Sequence, residues 1–435
     1  MNSSNIKELM SFLDNSLTSY HAVDNIKKEL LQEGFVELSE RKIWSLEKGG
    51  RYFVIRNDSS VIAFRVPECS ASEIRGYHVY AAHSDSPALK IKENPEIEKE
   101  GVYVSLNTEK YGGMILSTWL DRPLVIAGRV CVEKDGEIVS RLVRCKDNTC
   151  MIPSLAIHMN REVNNGVALS AQNDMLPLLT MTGQGDREQS SKGMLNKMLA
   201  QTMPQTEGRI LSYDLYVENC EKAVLAGAED EFIMAPRYDD LACVFAGLKG
   251  IVNGGSKRYL DVLAVFDNEE VGSLTRQGAD STFLKDTLEN IADGLEASAT
   301  VYRTWKAGSF MISADNAHAC HPNQGGKADL TNRPYLNRGV VLKYHGGQNY
   351  TTDAYSAAYV RKLCGENDIP LQTYANHSDL PGGSTLGRLV MAQVSMAAAD
   401  IGLPQLAMHS AYETGGARDI ESLVRFAEVF FSDRS

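Results

Sequence analysis

Two adjacent carboxylates, Glu269 and Glu270, follow an apolar segment, Tyr259–Phe266, that is typical of a buried strand. Burying such charges is costly unless a cation or hydrogen-bond donors compensate them. Neighbouring side chains at the end of a strand point in different directions, so one carboxylate could bind a metal ion while the other transfers a proton. Taken alone, the pair is more often a solvated acidic turn.

Other side chains that can bind metals or move protons follow further apolar segments or begin a helix. They are His83, Asp85, Asp239, Asp315, His318 and His409. A lone histidine is more often a structural or surface group than a ligand, and Asp239 could simply cap a helix. In open α/β sheets, however, ligands bind beyond the carboxyl ends of the strands, where we expect these residues to meet.

Two imidazoles and three carboxylates from these residues could together form one metal site. It suits two divalent metal ions, zinc first, with manganese or cobalt as substitutes. Two ions need a bridging carboxylate, and Asp239 is placed for that role, while Asp85 could orient the imidazole of His83. One of Glu269 and Glu270 then remains free as a general base. Such a site activates water and polarises a carbonyl, which predicts a hydrolase.

Alternating strands and helices would position these residues. We expect strands at Tyr77–Ala82, Tyr259–Phe266, Phe310–Ser313, Gly339–Lys343 and Leu371–Tyr374. We expect helices at Asp239–Lys249, Ser281–Asp293, Asp353–Cys364 and Leu386–Ala399, and a last helix at the C-terminus. This order predicts an α/β fold with a mixed, largely parallel sheet between helix layers.

The middle of the chain has a different pattern. Leu89–Val104 and Leu124–Val143 alternate apolar and polar residues around Gly and Asp-Gly breaks, which is typical of antiparallel hairpins. Met181–Glu207 is polar and low in aromatics, which favours a mobile or partner-facing insertion. At 435 residues the chain should form two domains. We predict a discontinuous domain of residues 1–89 and 233–435 and an inserted β-rich domain of residues 90–232.

Composition excludes several classes of function. A net charge of -12 argues against a nucleic-acid partner. No apolar run approaches the length of a membrane span, and Met1–Asn15 lacks the pattern of a secretory signal. The eight cysteines are scattered without a C-x-x-C pair, so we expect reduced, mostly buried thiols and a cytoplasmic location.

Over nearly its whole length the chain resembles the aspartyl aminopeptidases, a family of cytosolic dinuclear zinc metallopeptidases. The resemblance rests on motifs that occur in the family's order and spacing. They include His83-Ser84-Asp85-Ser86-Pro87, Thr118-Trp119-Leu120-Asp121-Arg122-Pro123, Pro236-Arg237-Tyr238-Asp239, Asp267-Asn268-Glu269-Glu270-Val271-Gly272, Ser313-Ala314-Asp315, Ala317-His318-Ala319 and Met408-His409-Ser410.

The resemblance implies a role for each site residue. His83, Asp239 and Asp315 would bind one zinc ion, and Asp239, Glu270 and His409 the other. Glu269 would be the general base that deprotonates the water bridging the two ions and later protonates the leaving amine. His318, Lys343 and Tyr350 match positions that contact substrate in the family. His158 matches a histidine that reaches the active site of a neighbouring subunit, although it could instead be satisfied within the inserted domain.

The family also implies peptide substrates with a free N-terminus and a tetrahedral assembly of twelve chains, built from dimers partly through the inserted domain. Residues 1–89 and 233–435 would then be the catalytic di-zinc domain, and residues 90–232 the oligomerisation or lid domain. The family's usual Leu-Asp-Asn at the bridging aspartate is here Tyr238-Asp239-Asp240, which keeps Asp239 but adds the negative charge of Asp240 near the metals. Two further positions depart from the family pattern: His377 stands where we expect arginine, and Tyr412 replaces a basic residue. These changes remove two cations, which weakens the case for a preference for N-terminal Asp or Glu.

Two other functions remain compatible with the sequence. A related metal-dependent amidohydrolase would use the same metal-binding residues, and it would differ by accepting substrates that lack a free α-amine. A non-catalytic peptide-binding or assembly protein could keep the fold, but loss of a ligand or of the base would be its mark, and all six positions are filled. The residues around Ser384 lack the glycine that a serine nucleophile elbow requires.

Overall fold

A computed structural model describes residues 4–182, 192–203 and 208–432 of the 435. Contacts within the chain divide it into two units. The first unit consists of Met1–Asp85, Ala223–Met408 and Glu413–Ser435, and the second of Ser86–Lys222 and His409–Tyr412. The catalytic and oligomerisation or lid roles that the sequence assigned to 1–89 with 233–435 and to 90–232 stay predictions.

Helices and strands alternate through most of the first unit. The helices of the described residues are α1 (Ser4–Asn15), α2 (Ser19–Gln32), α3 (Met194–Thr202), α4 (Tyr238–Asn253), α5 (Phe283–Gly294), α6 (Ala299–Ala307), α7 (Ala354–Glu366), α8 (Gly387–Gln393) and α9 (Asp419–Phe430). The strands are β1 (Val36–Leu38), β2 (Arg51–Arg56), β3 (Ser60–Arg65), β4 (Gly76–His83), β5 (Ala88–Lys99), β6 (Tyr103–Tyr111), β7 (Leu124–Lys134), β8 (Glu137–Arg144), β9 (Leu178–Met181), β10 (Arg209–Asn219), β11 (Val224–Ala226), β12 (Phe232–Ala235), β13 (Tyr259–Phe266), β14 (Phe310–Ala314), β15 (Ala317–His318), β16 (Val340–Tyr344), β17 (Leu371–Ala375), β18 (Ala397–Gly402), β19 (Pro404–Leu406) and β20 (Glu413–Gly416).

The main sheet of the first unit has the strand order β1-β2-β3-β13-β4-β14-β18-β16-β17. Its four central neighbours, β13, β4, β14 and β18, are parallel, and antiparallel pairs join β3 to β13 and β16 to β18. The mixed, largely parallel α/β sheet predicted from the sequence is therefore confirmed.

Alternate residues of the central strands face opposite helix layers. On one face Tyr80 and Val265 pack in a core with α1, α2, α4, α7 and α9. On the other face Val79 and Phe266 pack with α5, α6 and α8. Because both faces are covered, these strands are mostly apolar rather than alternating, as parallel strands usually are.

The first unit contains a second, smaller sheet, and the second unit has a sheet of its own. In the first unit, β11, β12, β20, β19 and β15 form a sheet that is antiparallel except where β15 meets β19. The second unit is built on the antiparallel sheet β8-β7-β10-β5-β6-β9. Its β7–β8 hairpin turns at Asp135 and Gly136, both at positive φ, as the Asp-Gly signal predicted.

Two sequence predictions of helices need correction. Leu386–Ala399 is not one helix: α8 ends at Gln393, and Ala397–Gly402 is the strand β18 inside the main sheet. The alanines of this segment favour a helix locally, but pairing with β14 and β16 in a buried sheet outweighs that preference. In α4, Asp239 and Asp240 have non-helical backbone angles, so the regular helix begins only after them.

The structure also bears on the predictions for the cysteines, for the polar segment Met181–Glu207 and for membrane spans. All eight cysteines are free and five of them are buried, as predicted. Part of the predicted insertion Met181–Glu207 lies outside the described residues, and the rest includes α3. Among the described residues, no helix combines the length and apolar character needed to cross a membrane.

Candidate metal centre

The register of the parallel strands β4 and β13 places His83 beside the pair Glu269 and Glu270. Phe266 at the end of β13 pairs with His83 at the end of β4, so the two strands end at the same level of the sheet. Asn268, in the left-handed region at φ 62, then turns the chain into a short 3-10 helix that contains Glu269 and Glu270. The edge predicted from the sequence is thus formed by strands that begin and end together.

His83 is buried at the end of β4, and Asp85 binds the turn opposite it. The Nδ1 atom of His83 lies 3.1 Å from the Asp85 carbonyl oxygen and 3.4 Å from its carboxylate. A carbonyl can only accept, so Nδ1 carries the proton and the lone pair of Nε2 is available to a metal. The Asp85 carboxylate also accepts the backbone N–H groups of Glu269 and Glu270, at 3.1 and 3.2 Å. Asp85 therefore orients both halves of the site.

Asp239, Asp240 and Asp315 converge on this imidazole. One donor atom from each of these residues and from His83 lies within 4.8 Å of the others. The Nε2 atom of His83 is 3.8 Å from Asp239 Oδ1, and its backbone N–H donates to Asp240 at 3.2 Å. Asp240 is fully buried and was not predicted to be a ligand. Its place directly after Asp239, in a motif where the family pattern differs, was the only signal.

The two glutamates complete the cluster from the other side. His83, Glu269 and Glu270 form a second group of donor atoms within 4.8 Å, and Asp239 lies within the same distance of Glu270. Burial, opposed by His83 and reinforced by the nearby carboxylate of Asp315, raises the pKa of Glu269 to about 8. Burial and Asp239 likewise raise the pKa of Glu270 well above its usual value.

These shifts test whether the residues suit metal ions. In this cluster the carboxylates outnumber the cationic groups, so negative charge is in excess and each further ionisation is unfavourable. Burial and the neighbouring acids also raise the pKa of Asp240 well above its usual value, although His83 opposes this. Buried carboxylates next to an imidazole with a free Nε2 are the ligands that zinc takes in proteins. The donor set therefore fits divalent cations.

Lys343 is buried behind Asp315. Its ammonium group donates to the backbone carbonyls of Asp315 and Asn316 at 2.8 and 3.2 Å, and lies 3.8 Å from the Asp315 carboxylate. It also lies 5.0 Å from the ring centroid of Tyr350, which is itself 5% exposed. The substrate contacts expected of Lys343 and Tyr350 stay predictions. The hydrogen bonds of Lys343 are those of a group that holds Asp315 in place.

His318 is exposed and lines a pocket of about 360 Å³ in the first unit. Other polar lining residues are His321, Lys327, Asn376, His377 and Gln405. His321 and His377 each accept a backbone N–H at Nδ1, from Asn323 at 3.1 Å and Asp379 at 3.2 Å. Their Nε2 atoms therefore carry the proton when the rings are neutral. No Asp or Glu is among the described lining residues, so the pocket is basic.

Two predicted site residues belong to the second unit. The Nδ1 atom of His409 lies 3.1 Å from the carbonyl oxygen of Gly113, so Nδ1 carries the proton, as at His83. His158 is exposed in a loop between β8 and β9. The roles of both residues stay predictions.

Sequence reasoning also missed Glu413. It is buried on β20, and its carboxylate accepts the backbone N–H of Asp239 at 2.9 Å. A glutamate at the start of the short strand Glu413–Gly416 was the available signal, but only the sheet order places it beside the start of α4.

The chain is similar to known proteins over nearly its whole length. A family model described as aminopeptidase I zinc metalloprotease (M18) matches residues 12–431. A probable M18 family aminopeptidase 2 from Clostridium novyi is 42% identical over 414 residues, covering 95% of each chain. The structure of Ape4 in its complex with Nbr1 superposes with a TM-score of 0.93 at 33% identity, over 98% of this chain and 85% of that one. The mApe1 dodecamer of S. cerevisiae gives 0.83 at 27% identity, over 98% and 96%.

Proposed function

Since the chain belongs to the M18 family of zinc aminopeptidases, and is thus a hydrolase that acts on peptides, we propose that it removes N-terminal Asp or Glu residues using two zinc ions. The observation that carries this proposal is the convergence of His83, Asp239 and Asp315 beside two half-buried glutamates. The short distances among these residues are a property of the fold and do not rest on the resemblance to other proteins.

In this proposal His83, Asp239 and Asp315 hold one ion, and Asp239, Glu270 and His409 hold the other. Zinc ions bound there would polarise the scissile carbonyl and make a water molecule acidic near neutral pH. Asp85 keeps the proton of His83 on Nδ1 and holds the backbone that carries the glutamates. Asp240 would add a fourth donor, the third carboxylate oxygen, to the first group.

Glu269 acts as the general base that accepts the proton of the attacking water and returns it to the leaving amine. Its raised pKa supports this role, because a base that titrates near the working pH both accepts and releases protons readily. Bound cations would lower that pKa from about 8 toward neutrality.

The test combines peptide hydrolysis with metal analysis of the wild type and of Glu269→Gln. We expect the wild type to bind two zinc ions per chain and the variant to keep both while losing at least about 100-fold in kcat. Near-normal turnover of Glu269→Gln would assign the base elsewhere. Peptides with an acetylated N-terminus serve as the control substrate: equal hydrolysis of free and acetylated peptides would favour the amidohydrolase instead.

The preference for acidic residues is supported by the basic pocket. It is joined to the metal-binding residues through Gln405, which donates to Glu413 at 3.3 Å, and through His318, three residues after Asp315. Lys327 supplies positive charge, and the imidazoles of His321 and His377 supply N–H donors, with His377 at the position where arginine was expected. A carboxylate side chain at the substrate N-terminus would be their natural partner.

This preference is tested with Lys327→Met and its matched control Lys362→Met, which removes a lysine whose side chain is 71% exposed on α7. We expect Lys327→Met to lower kcat/KM for Asp- and Glu-peptides several-fold more than for Leu-peptides, and Lys362→Met to change neither. An equal fall for all peptides would show that Lys327 does not recognise the substrate side chain.

We also propose that the chain forms a homo-oligomer, as a dodecamer built from dimers. In the second unit the loop around His158 exposes Leu155, Ile157 and Met159 by 55, 48 and 74% of their surface. Apolar side chains clustered in this way are typical of protein interfaces. Light scattering of the purified protein tests the assembly: a monomer at micromolar concentration would contradict it.

A further inference from the structure

One peptide unit, between Tyr238 and Asp239, is held from both of its polar ends. Its carbonyl oxygen accepts the side-chain amide of Asn316 at 3.1 Å, and its N–H donates to Glu413 Oε2 at 2.9 Å. The unit lies at the start of α4, where backbone N–H groups lack partners within the helix. Asp239 is non-helical, with φ -83 and ψ 114, so the helix does not fix its orientation.

The two groups that hold this peptide unit are linked to each other. Asn316 Nδ2 also donates to Gln405 Oε1 at 2.8 Å, and Gln405 Nε2 donates to Glu413 Oε1 at 3.3 Å. All three side chains are at most 3% exposed. They form a closed ring of hydrogen bonds with the Tyr238–Asp239 peptide.

The direction of every bond in the ring is determined by groups that cannot reverse. The N–H of Leu403 donates to Asn316 Oδ1 at 3.2 Å, so the amide nitrogen of Asn316 must face Gln405 and the Tyr238 carbonyl. Gln405 therefore accepts from Asn316 and donates onward. Glu413 then receives one donor from Gln405 and another from Asp239. Only a carboxylate can accept at both ends, since an amide offers one oxygen.

We propose that Glu413 is a positioning residue, which directs the Asp239 carboxylate to the metal ions by terminating this ring as a double acceptor. The proposal rests on the metal site proposed above. With Asp239 as the carboxylate shared by both ions, a rotation of its peptide plane would disturb both sites together. Partners of this kind typically change metal affinity by roughly 10- to 100-fold.

A swap of two side chains tests the proposal. Glu413→Gln places an amide against the amide of Gln405 and breaks one bond, whereas Gln405→Glu places two carboxylates together. The double variant Glu413→Gln/Gln405→Glu restores every donor–acceptor pair and the net charge, because residue 413 then donates to a carboxylate at residue 405. Glu366→Gln, an exposed glutamate at the end of α7, is the control.

Each metal-free protein is titrated with Co²⁺ alone, and the visible d–d absorption reports affinity and ligand geometry. We expect both single variants to bind Co²⁺ roughly 10- to 100-fold more weakly with an altered spectrum. The double variant should recover most of the affinity and the wild-type spectrum, and Glu366→Gln should match the wild type. The proposal would be overturned if Glu413→Gln bound Co²⁺ with the affinity of the wild type. It would also be overturned if the double variant bound Co²⁺ as weakly as Glu413→Gln.

Thermal melting of the metal-free proteins provides a second measurement, which remains valid if a single variant folds poorly. The double variant should melt above both single variants, since it alone has a fully paired ring. A double variant that melts below both would contradict the ring. A wild type that binds no Co²⁺ would instead count against the metal site, because the melting comparison does not depend on it.

Discussion

The chemistry of Lys343 shows how much a single residue depends on its surroundings. From the sequence, a lysine after an apolar strand could pair with an acidic substrate side chain or lie at the edge of the core in a salt bridge. In the fold its ammonium group is buried and donates to two backbone carbonyls at the Asp315–Asn316 turn. Glu413 is likewise buried, and it accepts the N–H of Asp239.

We therefore expect Lys343→Met to reduce hydrolysis of Asp- and Leu-peptides alike. The change leaves the Asp315 and Asn316 carbonyls buried without their donor, which costs about 1–3 kcal/mol each and displaces the proposed metal ligand Asp315. Steady-state kinetics with both peptides, together with zinc content, measures the effect, and Lys362→Met is the control. A loss confined to Asp-peptides would show that Lys343 binds the substrate side chain instead.

A second prediction concerns the acidity of Glu269 in the metal-free protein. Its pKa is raised by burial from an ordinary 4.5 to about 8, so the folded state holds a proton that the unfolded chain has released. Between these values the unfolded state binds fewer protons, and stability falls as pH rises. Urea unfolding of metal-free wild type and Glu269→Gln between pH 5 and 8 tests this. The decline should be smaller in the variant, and equal slopes would contradict the shift.

At the scale of elements, close approach between β18 and the end of β14 places Asp315. The N–H of Asp315 donates to Ile401 at 3.0 Å, and the next residue along β18 is Gly402. A Cβ atom on Gly402 would lie 1.9 Å from the Asp315 carbonyl oxygen, which is the acceptor of Lys343. A glycine is required here for space rather than for an unusual backbone angle.

Gly402→Ala should therefore destabilise the protein by about 1–3 kcal/mol and weaken zinc binding, because the carbonyl of Asp315 must move. The matched control is Gly365→Ala in α7, where a Cβ atom meets nothing within 4 Å. That change should be neutral or stabilise by up to about 1 kcal/mol. Denaturant unfolding with and without zinc distinguishes the two, and equal effects would contradict the packing argument.

At the scale of the whole molecule, metal binding and folding should be coupled. The metal-binding residues come from segments far apart in the sequence, which are brought together only in the folded chain. An ion that binds the native state alone stabilises it by about 2.7 kcal/mol at a hundredfold excess over Kd. We expect a chelator to lower the melting temperature and added zinc to restore it. A melting temperature that is unchanged by chelation would show that metal binding does not stabilise the folded state.

Much of this molecule follows from its sequence. The apolar segments that became β4, β13 and β14 were predicted within one or two residues, because strands covered on both faces are mostly apolar. The association of His83, Asp239, Glu269 and Asp315 followed from the rule that the carboxyl ends of parallel strands meet. The β-hairpins of the second unit followed from alternation and an Asp-Gly turn.

What the sequence alone determined was therefore the kinds of residue and the edge at which they collect. Which hydrogen bonds they make was decided only by the tertiary structure. Ala397–Gly402 became a strand because two neighbours pair with it, Lys343 became a support for Asp315 because it is buried, and Glu413 reached Asp239 because β20 packs at the start of α4. Each depends on residues distant in the chain, and local propensity contains no information about such contacts.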